Sequence, residues 1–399
     1  SKMHSASFNR RYLTLLHSII FCLLTVSAAS AQQIDPNVLR GSNNNYSTVS
    51  VFDVGQGSCT FISCSNGDNV LIDCGSTQGD SNSNRIKNYI AVILPVREDV
   101  DKKTKYSLLK TLIVSHPDRD HYNLISTVLP DNVRIETIII GGKLGQYDGS
   151  FQDWLKTQED EKGSTVVVHA NGKVIDEFSY DIEPNEKWGC YRYNDNNKNV
   201  EEGLQILGMN LPDNKPNNKS VVVKYQHGGY STIIAGDAEK KEEDKILQMF
   251  DPNNSNPLLI DMLVGGHHGS ETSTSKNWLV WCNPKYAIFS AGDHQGYRHP
   301  KNIILDRIVE NKNKKLITEW NEHDVTGGIR GKDGGGWKTR KCRDAIYNTY
   351  NTGFLFSIVG VDYKKRGREG EGAKTTLNVM SQKGEGDLIY VNENINLIE

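Results

Sequence analysis

The chain has 399 residues, 37% of them hydrophobic, and carries a formal net charge of −3 at pH 7. That length exceeds one small domain, suits one large α/β domain with extensions, and supplies a sizeable core even at a lean apolar content. The near-neutral balance excludes a protein-wide basic field of the kind that marks whole-surface polyanion binders, while leaving room for a local basic groove.

The chain begins with a signal-like pattern. Arg10-Arg11 precede the apolar run Tyr12–Val26, and Ala29-Ser30-Ala31 follows. A basic region, a short apolar region and a small-residue site predict an export signal over residues 1–31, cleaved before Gln32. The run is short for a membrane span; the alternative is an uncleaved N-terminal anchor. Cleavage would leave no stable membrane insertion and a secreted, periplasmic or extracellular protein. Six cysteines then remain, Cys59, Cys64, Cys74, Cys190, Cys282 and Cys342. An even number in an exported chain permits disulfides. Their spacing matches no paired zinc pattern, and no pairing is selected; Cys59 and Cys74, inside apolar strands, read as buried thiols. Asn45, Asn218 and Asn253 stand in glycosylation sequons.

Residues 32–47 are polar and read as a flexible lead-in. Thr48–Val54 reads as a strand, and Thr60–Ser63 and Val70–Asp73 flank the hairpin signal Asn66-Gly67-Asp68. Asn84–Leu94 has helical spacing. Thr111–Ser115 and Ile135–Ile140 are buried strands, Phe151–Lys156 is helical, and Thr165–His169 returns to strand. Asp176–Lys219 is polar loop apart from the strand Leu204–Met209. A second hairpin joins Ser220–Tyr225 to Tyr230–Ala235 through His227-Gly228-Gly229, which makes His227 a solvent-exposed turn residue. Ala238–Phe250 is a helix, Leu258–Val264 and Tyr286–Ser290 are strands, and Lys301–Asn311 is a helix. The tail is Gly-rich and charged over Gly327–Gly336 and Lys364–Gly372, interrupted by the apolar run Phe354–Val361. The pattern predicts mixed sheets covered by helices, in a main domain over 48–317 with a C-terminal extension over 318–399, partly packed on it.

Chemistry-bearing residues collect where these strands end. Asp73 ends one strand; His116, Asp118, Asp120 and His121 follow another directly; Asp237 follows Gly236; His267 and His268 follow Gly265-Gly266. Imidazoles mixed with carboxylates suit zinc, manganese or iron. If the backbone stays extended, residues 116, 118 and 120 point one way, and residue 121 turns to a second site.

The run His116-x-Asp118-x-Asp120-His121 resembles the signature of the metallo-β-lactamase superfamily, with Asp118 where the typical signature has His. Val51-Phe52-Asp53-Val54-Gly55-Gln56-Gly57, Leu71-Ile72-Asp73-Cys74-Gly75, Ala235-Gly236-Asp237-Ala238-Glu239, His267-His268-Gly269-Ser270 and Tyr297-Arg298-His299-Pro300 resemble one branch. That branch is the hydrolase domain of ComEC-like bacterial DNA-uptake proteins and its free-standing relatives, where Asp at the second position is usual. The resemblance implies an α/β fold, a four-layer αββα sandwich, with one or two zinc or manganese ions at one edge. It implies His116, Asp118, Asp120, His121, Asp237 and His267 as metal ligands, Asp237 bridging two metals or serving one, and Asp73 supporting the ligand loop from behind. Relatives elsewhere in the superfamily carry a further His upstream of the bridging Asp. Here that stretch is Leu211-Pro212-Asp213-Asn214, where Asp213 reads as a solvated turn residue or as a substitute ligand.

Metal-assisted hydrolysis is the chemistry implied. Asp120, His268 and His299 are the candidate catalytic residues: Asp120 to orient or deprotonate water, His268 as ligand, proton donor or substrate contact, and His299 to assist the leaving group. Lys143, Tyr147, Arg298 and Lys301 are candidates for a groove that meets nucleic acid. His169, His294 and His323 carry no argument. Three readings stand. The first is a phosphodiesterase or nuclease acting on nucleic acid; the second is a hydrolase of a small ester, lactone or amide at the same site; the third is a non-catalytic binding or toxin-associated protein.

Overall fold

The computed structural model describes residues 45–79, 82–100, 103–166, 180–181, 183–194, 199–250, 258–311, 315–330, 335–362, 374–384 and 389–397. The signal-like segment, most of the lead-in, His169, Asn253 and the stretch Lys364–Gly372 lie outside them. The strands in chain order are β1 (Tyr46–Val51), β2 (Cys59–Ser63), β3 (Asn69–Cys74), β4 (Val96–Glu98), β5 (Lys105–Val114), β6 (Val133–Ile140), β7 (Thr165–Val166), β8 (Arg192–Asn194), β9 (Asn199–Gly208), β10 (Val222–His227), β11 (Tyr230–Ile234), β12 (Met262–Val264), β13 (Tyr286–Phe289), β14 (Thr318–Ile329), β15 (Gly336–Asp344), β16 (Ile346–Asn348), β17 (Phe354–Asp362), β18 (Lys374–Gln382) and β19 (Ile389–Leu397). The helices are α1 (Ser83–Ile93), α2 (Ile125–Val128), α3 (Gly149–Asp160), α4 (Lys240–Met249), α5 (Lys276–Cys282), α6 (Asn302–Val309) and α7 (Thr349–Thr352).

A ten-stranded sheet runs β19-β18-β17-β1-β2-β3-β5-β6-β7, with β4 on β5; a seven-stranded sheet runs β16-β13-β12-β11-β10-β9-β8; β14 and β15 form a separate hairpin. Alternation along the strands divides the apolar side chains between two faces. In β3, Val70 and Ile72 join Val223, Tyr225, Ile234, Val264 and Ile288 of the other sheet, while Leu71 turns to the opposite face. On that face it meets Ile86, Ile90 and Ile93 of α1, Ile125 of α2, and Phe151 and Leu155 of α3. The far face of the smaller sheet, with Val222, Ile233, Leu263 and Phe289, packs on Ile246 of α4, Trp278 and Leu279 of α5, and Ile304, Leu305 and Ile308 of α6. The chain is therefore mixed α/β with several sheets. The apolar spacing of α1 at positions 86, 90 and 93 places one stripe inward. α3 starts where Asp148 accepts a hydrogen bond from the Phe151 N–H, and α5 where Ser275 accepts from that of Trp278.

Several expectations change. Cys59 and Cys74 are not separate thiols: they face each other across β2 and β3 and form a disulfide, and Cys64 pairs with Cys190. Cys282 and Cys342 are free. His227 is buried rather than solvated, because β10 runs on through it to pair with Tyr230, and its Nδ1 lies 2.8 Å from Ser47 Oγ. Burial, helped by the charge of Arg192, holds its imidazole down at about 3. Asn218 is fully buried, with its amide directed at Asp213 and Glu239, which leaves no room for a glycan. The strand expected from Leu258 begins at Met262. The tail does more than pack on the domain. β16 joins β13 in parallel, and β17 lies antiparallel between β1 and β18 inside the large sheet.

Candidate metal centre

The parallel strands β3 and β5 of one sheet and β11, β12 and β13 of the other deliver their ends to one place. A cleft at strand carboxyl ends is the usual seat of chemistry in α/β proteins. Asp73 is the last residue but one of β3, Ser115 and His116 follow β5, Asp237 follows β11, His267 and His268 follow β12, and Ser290 follows β13. Val221 N–H donates to Ser115 O (2.9 Å) and His267 N–H to Gly236 O (3.0 Å), tying the loops together. Asp73, His267, His268 and Arg298 all have positive φ (56°, 49°, 54° and 52°). Non-glycine residues in that region carry backbone strain, and such strain gathers at functional sites.

Asp237 is the hub. It is buried, and its two oxygens face different partners. Oδ1 lies 3.1 Å from His121 Nε2 and 3.4 Å from His268 Nε2. Oδ2 lies 3.6 Å from His116 Nε2 and 3.6 Å from His267 Nε2. Asp118 stands beside His116 (3.4 Å) and Asp120 beside His268 (3.4 Å). The expectation that 116, 118 and 120 share a direction does not hold. The chain turns into a short 3-10 helix at Arg119–His121, and this carries Asp120 across to the His121 and His268 side.

The outer partners of the rings decide what the inner nitrogens present. His121 Nδ1 donates to Asp73 Oδ2 (2.8 Å), and His268 Nδ1 donates to the Ser290 carbonyl (2.9 Å). Asp73 also accepts from Ser115 N–H (2.6 Å) and Ser115 Oγ–H (2.7 Å). That hydroxyl, its proton spent on Asp73, can accept from His116 Nδ1 at 3.0 Å. Each neutral ring therefore turns an Nε2 lone pair inward. His121 and His268 Nε2 face each other at 3.3 Å, and His116 Nε2 and Asp237 Oδ1 are buried with no hydrogen-bond partner. Converging lone pairs repel unless a cation lies among them, so the donor set fits a metal. Among the described residues, two groups have ligand atoms within 4.8 Å of one another, His116 with His121 and Asp237, and Asp120 with His121 and His268. When protons rather than a cation fill the space between these groups, burial opposes the charge, but the Asp237 carboxylate raises the imidazoles of both His121 and His268. In that protonated state burial would raise the Asp120 carboxyl, but the hydrogen bond from His268 and the charges of His121 and His268 outweigh it and hold it at about 2. Burial likewise opposes the four surrounding histidines at Asp237, which is held well below the ordinary range.

His299 closes the site. Its ring lies 5.8 Å from that of His267 and 6.3 Å from that of His268, and Gln56 Nε2 reaches its Nδ1 at 3.3 Å. Burial, then the charges of His268 and His267, push its imidazole down to about 3. Gln56 was not among the sequence candidates; its signal lay only in the motif around it. Asp213 stands apart from both donor groups, accepting from Lys215 N–H (2.9 Å) and lying 3.8 Å from Lys245 Nζ and 3.9 Å from Lys241 Nζ. Asn217 Nδ2 is the group that reaches Asp237 Oδ2, at 3.3 Å. Of the groove candidates, Arg298 and Lys301 flank His299, and Lys143 is exposed on its own loop. Tyr147 is buried, donating to the Gly141 carbonyl at 2.8 Å, and lines no groove. His294 stacks on exposed Tyr297, and His323 is held by Glu319 and the Ile346 carbonyl, so neither joins the centre.

No family model matches the chain. It is 26% identical to ComE operon protein 3 of Bacillus subtilis over 308 residues, 76% of this chain and 35% of that protein. It is 33% identical to Competence protein ComA of Neisseria gonorrhoeae over 135 residues, 34% of this chain and 18% of that protein. It is 28% identical to Recombination protein 2 of Haemophilus influenzae over 263 residues, 65% of this chain and 26% of that protein. The chain thus spans about a third or less of the length of these curated relatives. The likenesses support a relationship to ComEC-like competence proteins.

Proposed function

We propose that this chain is a metal-dependent hydrolase that cleaves phosphodiesters of nucleic acid, built as a four-layer αββα sandwich of the metallo-β-lactamase type. The observation that carries the reading is the division of Asp237 between two sets of donors, His116 and His267 on one oxygen, with Asp118 beside His116, and His121 and His268 on the other, with Asp120 beside His268. Such a set would hold two zinc or manganese ions with Asp237 between them. Bound there, such ions would supply water activation and polarisation of the scissile phosphate. Asp120 would orient the attacking water beside His268, Asp73 fixes His121 and the Ser115 loop, and His299 would meet a substrate oxygen. Arg298 and Lys301 place positive charge beside His299, suited to a phosphate. The likeness to competence proteins supports a role connected with DNA. The three apolar layers, one between the sheets and one under the helices on each side, support the sandwich. The two disulfides support export to an oxidising compartment.

The test is to purify the chain without chelator, measure metal by mass spectrometry, and assay DNA, RNA, bis(p-nitrophenyl) phosphate and a lactone with added manganese or zinc. The expected outcome is bound metal in the wild type, loss of it in Asp237→Ala, and phosphodiester cleavage that falls at least about 100-fold in Asp120→Ala. A protein that opens the lactone and leaves every phosphodiester intact would overturn the substrate class. One that retains no metal would overturn the centre.

A further inference from the structure

Gln56 comes from the Val51–Gly57 segment, and its side chain has no role in the donor set around Asp237. It is nevertheless 1% exposed and held on both sides. Its N–H donates to Gln78 Oε1 at 2.7 Å, and its carbonyl accepts from Thr77 N–H at 2.8 Å. A Cβ added at Gly292 would come within 2.7 Å of Gln56 N, so the opposite wall is closed too. The side-chain amide meets His299 Nδ1 at 3.3 Å, while its Oε1 is buried without a partner. An amide N–H donates, so Nδ1 of His299 is the acceptor and the proton of the neutral ring sits on Nε2. That Nε2 makes no hydrogen bond to any described residue, and the ring that carries it lies against His267 and His268. Leaving one acceptor unpaired costs less than orphaning two N–H donors, which the reverse orientation of the amide would do.

We propose that Gln56 is a positioning residue that locks His299 as the Nε2–H tautomer and aims that N–H at the oxygen gaining charge as the phosphodiester P–O bond lengthens. This rests on the phosphodiesterase reading above. The hydrogen bond matters in proportion to the charge on the departing oxygen, so it favours substrates whose leaving group is a sugar alkoxide over those that leave as a stabilised phenolate.

Two measurements on the full chain test it. The first is the tautomer of His299, read from two-bond proton–nitrogen correlations in protein labelled with ¹⁵N-histidine. The expected spectrum has the proton on Nε2 in the wild type, a mixture in Gln56→Leu, and the proton on Nδ1 in Gln56→Glu, because a carboxylate there must accept. A wild-type ring protonated on Nδ1 overturns the proposal. The second is cleavage of an oligonucleotide beside bis(p-nitrophenyl) phosphate, in variants shown to keep wild-type metal content. Gln56→Leu and Gln56→Glu are expected to lose about 100-fold in kcat on the oligonucleotide and distinctly less on the nitrophenyl ester, and His299→Ala to lose activity on both, more on the oligonucleotide. Equal losses on both substrates mean a merely structural role and overturn it. A wild type that cleaves neither overturns the function proposed above. A wild type that cleaves both, with His299→Ala unaffected on either, overturns the positioning role alone.

Discussion

Asp73 is fully buried, and its charge is distributed over the Ser115 backbone, the Ser115 hydroxyl and His121. One carboxylate thereby sets the orientation of two inner rings, His121 directly and His116 through Ser115. A different buried acid pays for its position. Glu202 accepts from Ser65 N–H (2.9 Å) and Tyr225 O–H (2.6 Å), and also from the Ser65 hydroxyl, yet burial still raises its carboxyl to about 7. Between the ordinary value of 4.5 and about 7 the folded chain binds a proton there that the unfolded chain has lost. Stability from this group is complete below 4.5 and falls as pH rises through 7, by roughly 1.4 kcal/mol for each pH unit between those two values. Glu202→Gln keeps an acceptor for Tyr225 and removes the titration. Relative to the wild type, the variant should gain on the order of 3 kcal/mol between pH 4.5 and 8. Denaturant unfolding of the two proteins across that range measures the difference, in which His227 and other titrating groups cancel; a constant difference would refute the assignment. The metal-type residues were legible in the sequence because His116–His121 packs four donor side chains into six positions directly after an apolar strand. Gln56 was not legible, since a glutamine in a glycine-rich turn has no chemical signature until the fold sets His299, 243 positions on, against it.

Among the elements, the β2–β3 hairpin carries more than its own pairing. Its far ends hold Gly57 and Gly75, where two chain segments pass almost in contact. A Cβ at Gly75 would lie 2.5 Å from the Asp120 carbonyl carbon and 2.6 Å from His121 N. The atoms in the way are backbone, so no side chain can move aside. Gly75→Ala is therefore expected to displace the Arg119–His121 turn and weaken metal retention by about 10- to 100-fold while the outlying sheet strands persist. Competition against a chelator, with far-ultraviolet circular dichroism as the fold control, reads both halves. Wild-type affinity in the alanine variant would show that the turn has slack. The hairpin itself was plain in the sequence, because Asn66-Gly67-Asp68 separates two apolar runs. β14 and β15 were not. Their residues mix charged, polar and glycine positions with few apolar ones, a composition shared with solvated loops, and the pair is anchored by contacts distant in sequence, such as Gly328 N–H to the Pro300 carbonyl and Arg340 to Asp306.

For the molecule as a whole, two sheets share a core, and the tail completes both. Leu355 and Val359 of β17 enter the layer between the sheets, while Phe354 and Phe356 enter the layer under α1. A chain ending after residue 317 would strip β1 of a partner along its full length and bare both layers. Such a truncation is expected to aggregate, with no cooperative unfolding transition, whereas the full chain unfolds cooperatively. A soluble truncated protein that retains metal would show instead that the first 317 residues are self-sufficient. The sequence marked Phe354–Val361 as apolar but could not say that it lies between β1 and β18, because pairing across 300 positions leaves no local pattern.

That pairing also orders events in time. Tyr46 leaves the ribosome roughly 300 residues ahead of its partner Gly360, an interval of roughly 15 to 60 s at about 5–20 residues per second. Throughout it, β1 can zip only to β2, and its other edge stays open to any passing strand. Synthesis thus outlasts the pairing of the first hairpin by many orders of magnitude, and that edge of β1 stays unpaired until β17 has been made.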